Sequence, residues 1–413
     1  MAVATSYNVT STQGARESLE NVLRFVEPTT TPLYSTLKQS AAPKAVLTEW
    51  LADVLAAPEI GGVIDGVDMT FNTDFTDQIN SRVRLGNRVQ TVRNAYAVSR
   101  QAQMISVAPG ESLIAASKAK SLLELKRSIE AVIGSGASQR TGSGSVKALS
   151  QGLGVWSDPS AAVADVPASV LAVSGSRFDL SASAGAAVMA ESDLIALLQA
   201  VYEAAGTKTD YRLFAGPSVI NEIADFSRAD AGSATFNQEV GGGRLSLSIT
   251  EYNSSYGTLK VIPDLFLGRE EGQAITAATN TPTIVVTATA HGFVTGDIVT
   301  ISGALGNTAA NGSFLVAGAA ANQFDLTTRA GVAVAGNGAW TSGGILTKGN
   351  NTAESVLNSR RAYLLPGDDT VSVKFLEGIT TKDLPDLGAG PRAFVEAMIT
   401  LCVTNPRALG SIV

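Results

Sequence analysis

"ESLIAASKAKSLLELKRSIEAVIGSG", residues 111–136, carries the clearest helical period in the chain. Apolar residues recur at Ala115, Ala119, Leu122, Leu125, Ile129 and Val132, while Lys118, Lys120, Glu124, Lys126 and Glu130 fill the other positions. The Pro109-Gly110 break precedes it and Gly134 closes it, which predicts about six turns of amphipathic helix. Strand-like text lies upstream, and helices and strands recur further downstream. An α+β fold is expected.

Upstream, from Thr48 to about Met104, the chain reads as strands and loops. "SRVRLGNRVQTVRNAYAVSR", residues 81–100, sets Arg82, Arg84, Arg88, Arg93 and Arg100 among valines and leucines, its first part alternating as a strand does. "EIGGVIDGVDM", residues 59–69, is glycine-rich. Together they predict a long two-stranded excursion, and an isolated hairpin is marginal in water unless another surface covers it. The arginines are either a solvated strand face or an edge that meets acidic residues of a neighbouring subunit. Arg82, Arg84, Arg88 and Arg93 are the candidates for intersubunit contact.

Residues 1–15 form a polar arm. "GARESLENVLRFVEP" then offers a short helix with Leu19, Val22, Leu23 and Val26 on one side, stopped by Pro28. "TTTPLYSTLKQ" is interrupted by proline and reads as an extended arm.

Downstream of the helix, "GSGASQRTGSGS" reads as a loop. "ESDLIALLQAVYEAAG" predicts a helix with Ser192 as N-cap and Gly206 just past its end, followed by the strand "YRLFA" and a helix from Pro217 to Ser227. Short links between these elements imply a compact α/β domain. "RLSLSITEY" and "GTLKVIPD" resume the strands.

From Ala277 to Thr347 the composition changes abruptly: only Asp297, Asp325 and Arg329 are charged, and Gly, Ala, Thr and Asn fill the turns. Such a shift marks a separate β module. Beyond it two long strands, Thr370 to Phe375 and Phe394 to Val403, restore the earlier character, so the module interrupts a domain that closes after it.

Composition narrows the chemistry. The 413 residues, 45% hydrophobic and 16% charged with 40 glycines, suffice for two or three domains. A net charge of −7 supplies no global positive field for nucleic acid. Cys402 is the one cysteine and His291 the one histidine, which excludes an intrachain disulfide and the usual soft-ligand metal sites within one chain. The first twenty residues lack a secretory pattern, and no apolar run reaches the ~18 residues that a bilayer requires. A soluble, unexported protein with no membrane partner is expected.

No reactive constellation emerges. His291 stands in "TATAHGF" without a carboxylate or thiol nearby and reads as a turn residue. "GSGASQRTGSGS" and "EVGGGRL" lack the lysine and hydroxyl ending of a phosphate loop. Cys402 sits in the apolar "AMITLCVTN" and reads as core. Asp368 and Asp369, and Asp383 and Asp386, flank turn prolines and glycines. The expectation is no catalytic residue, no cofactor and no metal.

The order of parts resembles the major capsid proteins of tailed bacteriophages. The stretches that carry the likeness are "VEPTTTPLYSTLKQSAAPKAVLTEWLAD", "LLELKRSIEAVIGSG", "TEYNSSYGTLKVIPD" and "FLEGITTKDLPDLGAGPRAFVEAMITLCVTNPRALGSIV". The likeness implies the tailed-phage capsid fold: an N-terminal arm over 1–43, an extended loop over 44–104, a peripheral domain over 105–189 with a spine helix at 110–134, and an axial domain over 190–276. The insert at 277–347 is similar to β-barrel-like modules of phage tail and baseplate proteins and is expected to project outward; residues 348–413 return to the axial domain and closing strands. An in-chain scaffolding segment and a lysine–asparagine cross-link are not expected.

The resemblance also implies self-assembly through hexamers and pentamers into an icosahedral virion shell around double-stranded DNA, touched weakly and non-specifically. Assembly would take place in the host cytoplasm, with a portal and separate scaffold or decoration proteins as partners. Two other readings remain open: an encapsulin-like nanocompartment shell, and a tail or baseplate protein that binds carbohydrate through the β module.

Overall fold

The computed structural model describes residues 29–53, 55, 60–61, 65–66, 68, 82–104, 112–143, 147–159, 170–178, 189–206, 210–229, 251–268, 272–289, 291, 293, 295–328, 330–348, 361–367, 370–385 and 390–413. The expected helix around Leu19 to Val26, the cluster "EVGGGRL", and Asp368, Asp369 and Asp386 lie outside them.

In chain order the elements begin with α1 (Pro32–Thr36), β1 (Lys38–Ser40), β2 (Leu47–Ala52), β3 (Val83–Arg88), β4 (Gln90–Ala97), α2 (Arg100–Met104), α3 (Leu113–Ile133) and α4 (Leu153–Trp156). They continue with β5 (Arg177–Phe178), α5 (Glu191–Ala205), β6 (Tyr211–Ala215), α6 (Pro217–Ala229), β7 (Glu251–Ser254) and β8 (Gly257–Pro263). Short strands follow: β9 (Gln273–Ala274), β10 (Ala277–Ala278), β11 (Val285–Thr287), β12 (Ile298–Leu305), β13 (Gly312–Ala317), β14 (Gln323–Thr327) and β15 (Ser342–Lys348). The chain closes with β16 (Ala362–Pro366), β17 (Val371–Leu384), β18 (Arg392–Val403) and β19 (Gly410–Ile412).

Two compact units divide the chain: one holds Met1–Thr29, Arg93–Leu125 and Thr380–Glu396; the other holds Thr30–Val92, Lys126–Ile379 and Ala397–Val413. A four-stranded sheet has the order β1-β17-β18-β4, with β1 parallel to β17.

The larger unit is built on a six-stranded sheet of order β5-β19-β16-β6-β8-β7. Leu194, Leu197, Leu198 and Val201 of α5, at helical spacing, pack with Val219 and Ile223 of α6 on Tyr211, Leu213 and Ala215 of β6. Burying each such large side chain stabilises by about 1.5–3 kcal/mol. β16 lies between β6 and β19, so the chain re-enters this sheet after residue 348.

The N-cap of α5 differs from the reading of Ser192. The helix starts at Glu191, Ala190 is the cap, and the Asp193 carboxylate accepts the Ala190 N–H at 2.9 Å. A carboxylate in the first turn also meets the positive end of the helix dipole. Gly206 does close the helix, at φ 70°, with its N–H donating to Tyr202 O at 2.8 Å.

Residues 273–348 hold a seven-stranded antiparallel sheet of order β10-β11-β14-β13-β12-β15-β9 with a hydrophobic core of its own, including Ile284, Val286, Val299, Ile301, Val316, Phe324 and Leu326. Its first and last strands are direct neighbours: Ala274 opposes Ile345 and Gln273 opposes Leu346. The chain therefore enters and leaves this sheet at one place.

Helix α3 has the expected length, but its buried stripe is displaced. Ser121, Leu125, Ile129 and Ile133 are buried at a spacing of four, while Ala115 and Ala119 are exposed. Glu130, placed by the sequence pattern on the polar side, is fully buried. The proline-punctuated arm segment also differs: Pro32 opens the single turn α1, as a proline at the first helical position can.

Candidate assembly interface

β2 and β3 pair antiparallel as a two-stranded sheet, Leu51 opposite Arg84 and Trp50 opposite Leu85. One face is anchored. Leu85 and Asn87 are buried, Trp50 packs tilted against Trp156 with ring centroids 5.8 Å apart, and its indole N–H donates to Val403 O at 2.8 Å. The other face carries apolar and cationic groups together: Leu51 is 65% exposed and the Arg84 side chain 69%. Large apolar side chains on an uncovered strand pair are what a partner surface would bury.

Asn87 is the hub of the anchored face. Its amide donates to Gln151 O at 3.0 Å and Leu401 O at 2.8 Å, and its carbonyl accepts from Gln151 N and Arg88 N, each at 2.8 Å. A fully paired amide ties the strand to two distant segments and leaves no buried donor unmet.

The four candidate arginines do not share one environment. Arg82 lies 3.5 Å from Asp53 and Arg84 3.7 Å from Glu49; both are exposed pairs within one chain, which contribute little to stability in solution. Arg88 is half-buried opposite Leu47. Arg93 stands on β4, outside the β2–β3 pair. Its guanidinium donates to Glu396 at 2.6 and 2.9 Å and lies 4.4 Å over the Phe394 ring.

Glu396, whose side chain is 3% exposed, also accepts from the Lys382 ammonium at 2.5 Å. The Lys382 hydrogen bond, aided by Arg93, holds its carboxyl below the usual carboxylate range despite burial.

Glu130 of α3 accepts the backbone N–H groups of Leu33 and Tyr34, both at 2.6 Å. These are second- and third-position donors of α1, whose N-cap Thr31 makes no side-chain bond, so a residue about a hundred positions away caps the helix. Burial, then the neighbouring Asp264 carboxylate, pushes the Glu130 carboxyl up to about 8, against the two N–H bonds that favour its charged form.

Asn87, Glu130, Asp264 and Glu396 were not legible as site residues. For Glu130 a weak signal existed, since it lies three residues before the buried Ile133 on the same side of the helix. Nothing marks Asn87, bonded to Gln151 and Leu401 at separations of 64 and 314 residues, or Glu396, whose partner Arg93 is 303 residues away.

The remaining singled-out residues carry no clustered chemistry. His291 stacks on Phe293 at 5.3 Å and meets Phe324 edge-on at 4.9 Å, and its Nδ1 accepts the Phe293 N–H at 3.0 Å. Cys402 is buried on β18, and burial raises its thiol. Asp383 lies on β17. Among the described residues no group of three or more His, Cys, Asp or Glu could hold a metal, and no helix is long and apolar enough to cross a membrane.

Residues 4–287 match the family model described as SU10 major capsid protein. The fold is similar to the capsid of a native GTA particle, with a TM-score of 0.51, 11% identity, and coverage of 99% of this chain and 98% of that one. It is also similar to the capsid of cyanophage Pam1, with a TM-score of 0.48, 10% identity and coverage of 99% and 98%. The encapsulin of Synechococcus elongatus aligns with a TM-score of 0.45, 11% identity and coverage of 99% and 95%. No curated protein matches the chain.

Proposed function

The chain belongs to the SU10 major capsid protein family and is a shell protein of a phage virion, and on that premise we propose that the open face of the β2–β3 pair is its principal contact with neighbouring subunits. The observation that carries this is the uncovered combination of Leu51 with Arg82 and Arg84 on one face of a strand pair whose other face is locked down by Asn87 and Trp50. Covering that face yields about 25 cal/mol per Å² of apolar surface before the entropy of association. The paired Asp53 and Glu49 allow the arginines to exchange an intrachain for an intersubunit carboxylate, which tunes orientation more than affinity.

In this reading subunits form hexamers and pentamers that close into an icosahedral shell around double-stranded DNA. The chain's net charge of −7 suits a container that holds its nucleic acid loosely. A portal, and separate scaffold or decoration proteins, complete the particle, which assembles in the host cytoplasm. Residues 277–347 are an insertion module on the shell exterior, supported by their three charges, separate core and adjoining first and last strands. Arg88 and Arg93 are further contact residues.

Size-exclusion chromatography and negative-stain microscopy of the expressed chain, with scaffold or phage lysate supplied, test the proposal. Closed shells or capsomers are expected. Monomers or small rings alone, under all these conditions, would overturn it.

A further inference from the structure

We propose that the concavity lined by Thr36, Lys38, Arg212, Phe214, Leu365 and Val371 is a binding site for a phosphate oxyanion. Its volume is about 150 Å³, below the roughly 300–1,000 Å³ of sites that enclose drug-sized ligands. A single tetrahedral anion fits that scale; a nucleoside or sugar does not.

The strand register creates the demand for negative charge. On β6, Tyr211, Leu213 and Ala215 face the helices, so Arg212 and Phe214 face the opposite side of the sheet. Arg212 is aligned with Lys260 on the parallel neighbour β8, which places two cations side by side, and like charges so placed repel. Glu251 answers Lys260 at 3.8 Å. Among the described residues Arg212 makes no ion pair, and Lys38 brings another cation to the same concavity.

The walls suit the ligand as well. Phe214, Leu365 and Val371 are buried apolar groups, which lower the local dielectric and strengthen attraction between the guanidinium and an anion. The planar fork of Arg212 matches two oxygens of a phosphate, the Lys38 ammonium adds a point charge, and the Thr36 hydroxyl can donate to a third oxygen.

A phosphate group can come from inorganic phosphate or from the backbone of DNA, and two measurements separate them. The first titrates the full chain with inorganic phosphate at fixed ionic strength by calorimetry. Saturable binding is expected, weakened about tenfold in Arg212→Gln and less in Lys38→Met, with Lys118→Gln, at an exposed position of α3, unchanged. The second measures a short DNA duplex by fluorescence anisotropy. Competition by inorganic phosphate together with weakening in Arg212→Gln assigns the site to the DNA backbone; duplex binding indifferent to both assigns it to free phosphate.

Circular dichroism checks the fold of each variant. Should Arg212→Gln fail to fold, Lys38→Met, on an exposed position, carries the test alone. Absence of saturable phosphate binding, or equal affinity in wild type and the folded variants, overturns the proposal.

Discussion

The Glu130 carboxyl group accepts the Leu33 backbone N–H at 2.6 Å while both residues are fully buried, so α3 supplies the N-terminal cap that α1 lacks. Glu130→Ala leaves two N–H groups at a helix start without their acceptor. Such unmet donors cost about 1–3 kcal/mol each, and a total loss of about 2–4 kcal/mol is expected in urea unfolding of the subunit. Glu130→Gln keeps one acceptor oxygen and should lose less.

The same carboxyl predicts a pH dependence. Its pKa in the folded chain is about 8 against the ordinary 4.5, so the native state binds a proton that the unfolded state releases. The associated stability is fully present below pH 4.5, declines as pH rises, and is lost once pH passes about 8. Unfolding midpoints measured from pH 5 to 9 should fall more steeply in wild type than in Glu130→Gln. Parallel curves would count against the assignment.

Glu396 should respond in the opposite direction. Its carboxyl is depressed by Lys382 and Arg93, so its contribution is present above the ordinary carboxylate value and is lost as pH falls through the lower folded value. Glu396→Gln replaces the carboxylate shared by Arg93 and Lys382 with a neutral amide. It is expected to lower the thermal midpoint at neutral pH and to flatten the acid limb of the stability profile.

Asn87→Ala removes all four bonds of the hub at once and leaves buried backbone groups of Gln151 and Leu401 unpaired. A loss of about 2–4 kcal/mol is expected by denaturant titration. Arg84→Glu, on the open side of the same strand, should leave the monomer's stability within about 0.5 kcal/mol yet reduce shell yield under the microscope. Equal yields would remove Arg84 from the interface.

Excision of residues 273–348, joined by a short Gly-Ser linker, should leave the six-stranded sheet folded, because the removed strands β9 and β15 are adjacent at the cut. A single cooperative unfolding transition of the shortened chain, with its far-ultraviolet spectrum retaining helix, is the expected result. Removal of 277–347 alone leaves β9 without its sheet partner and should give a less soluble product.

Sequence by itself determined what is local. The period of residues 113–133 specified a long helix, Pro217 and Gly206 marked helix ends, the alternation in "SRVRLGNR" marked a strand, and the dearth of charge from Ala277 to Thr347 set that stretch apart. These features depend on neighbours within a turn or a pleat. The stretches that resemble capsid proteins worked in the same way, through the order of such elements.

Tertiary structure alone decided which side of those elements is buried and which charges meet. Glu130 looked like one more polar position until Leu33, Tyr34 and Asp264 closed around it, and Arg93 looked like its fellow arginines until β18 brought Glu396 beneath it. Desolvation and long-range pairing are properties of the packed chain. A carboxylate costs several kcal/mol to bury without partners, and those partners come from segments that only the fold brings together.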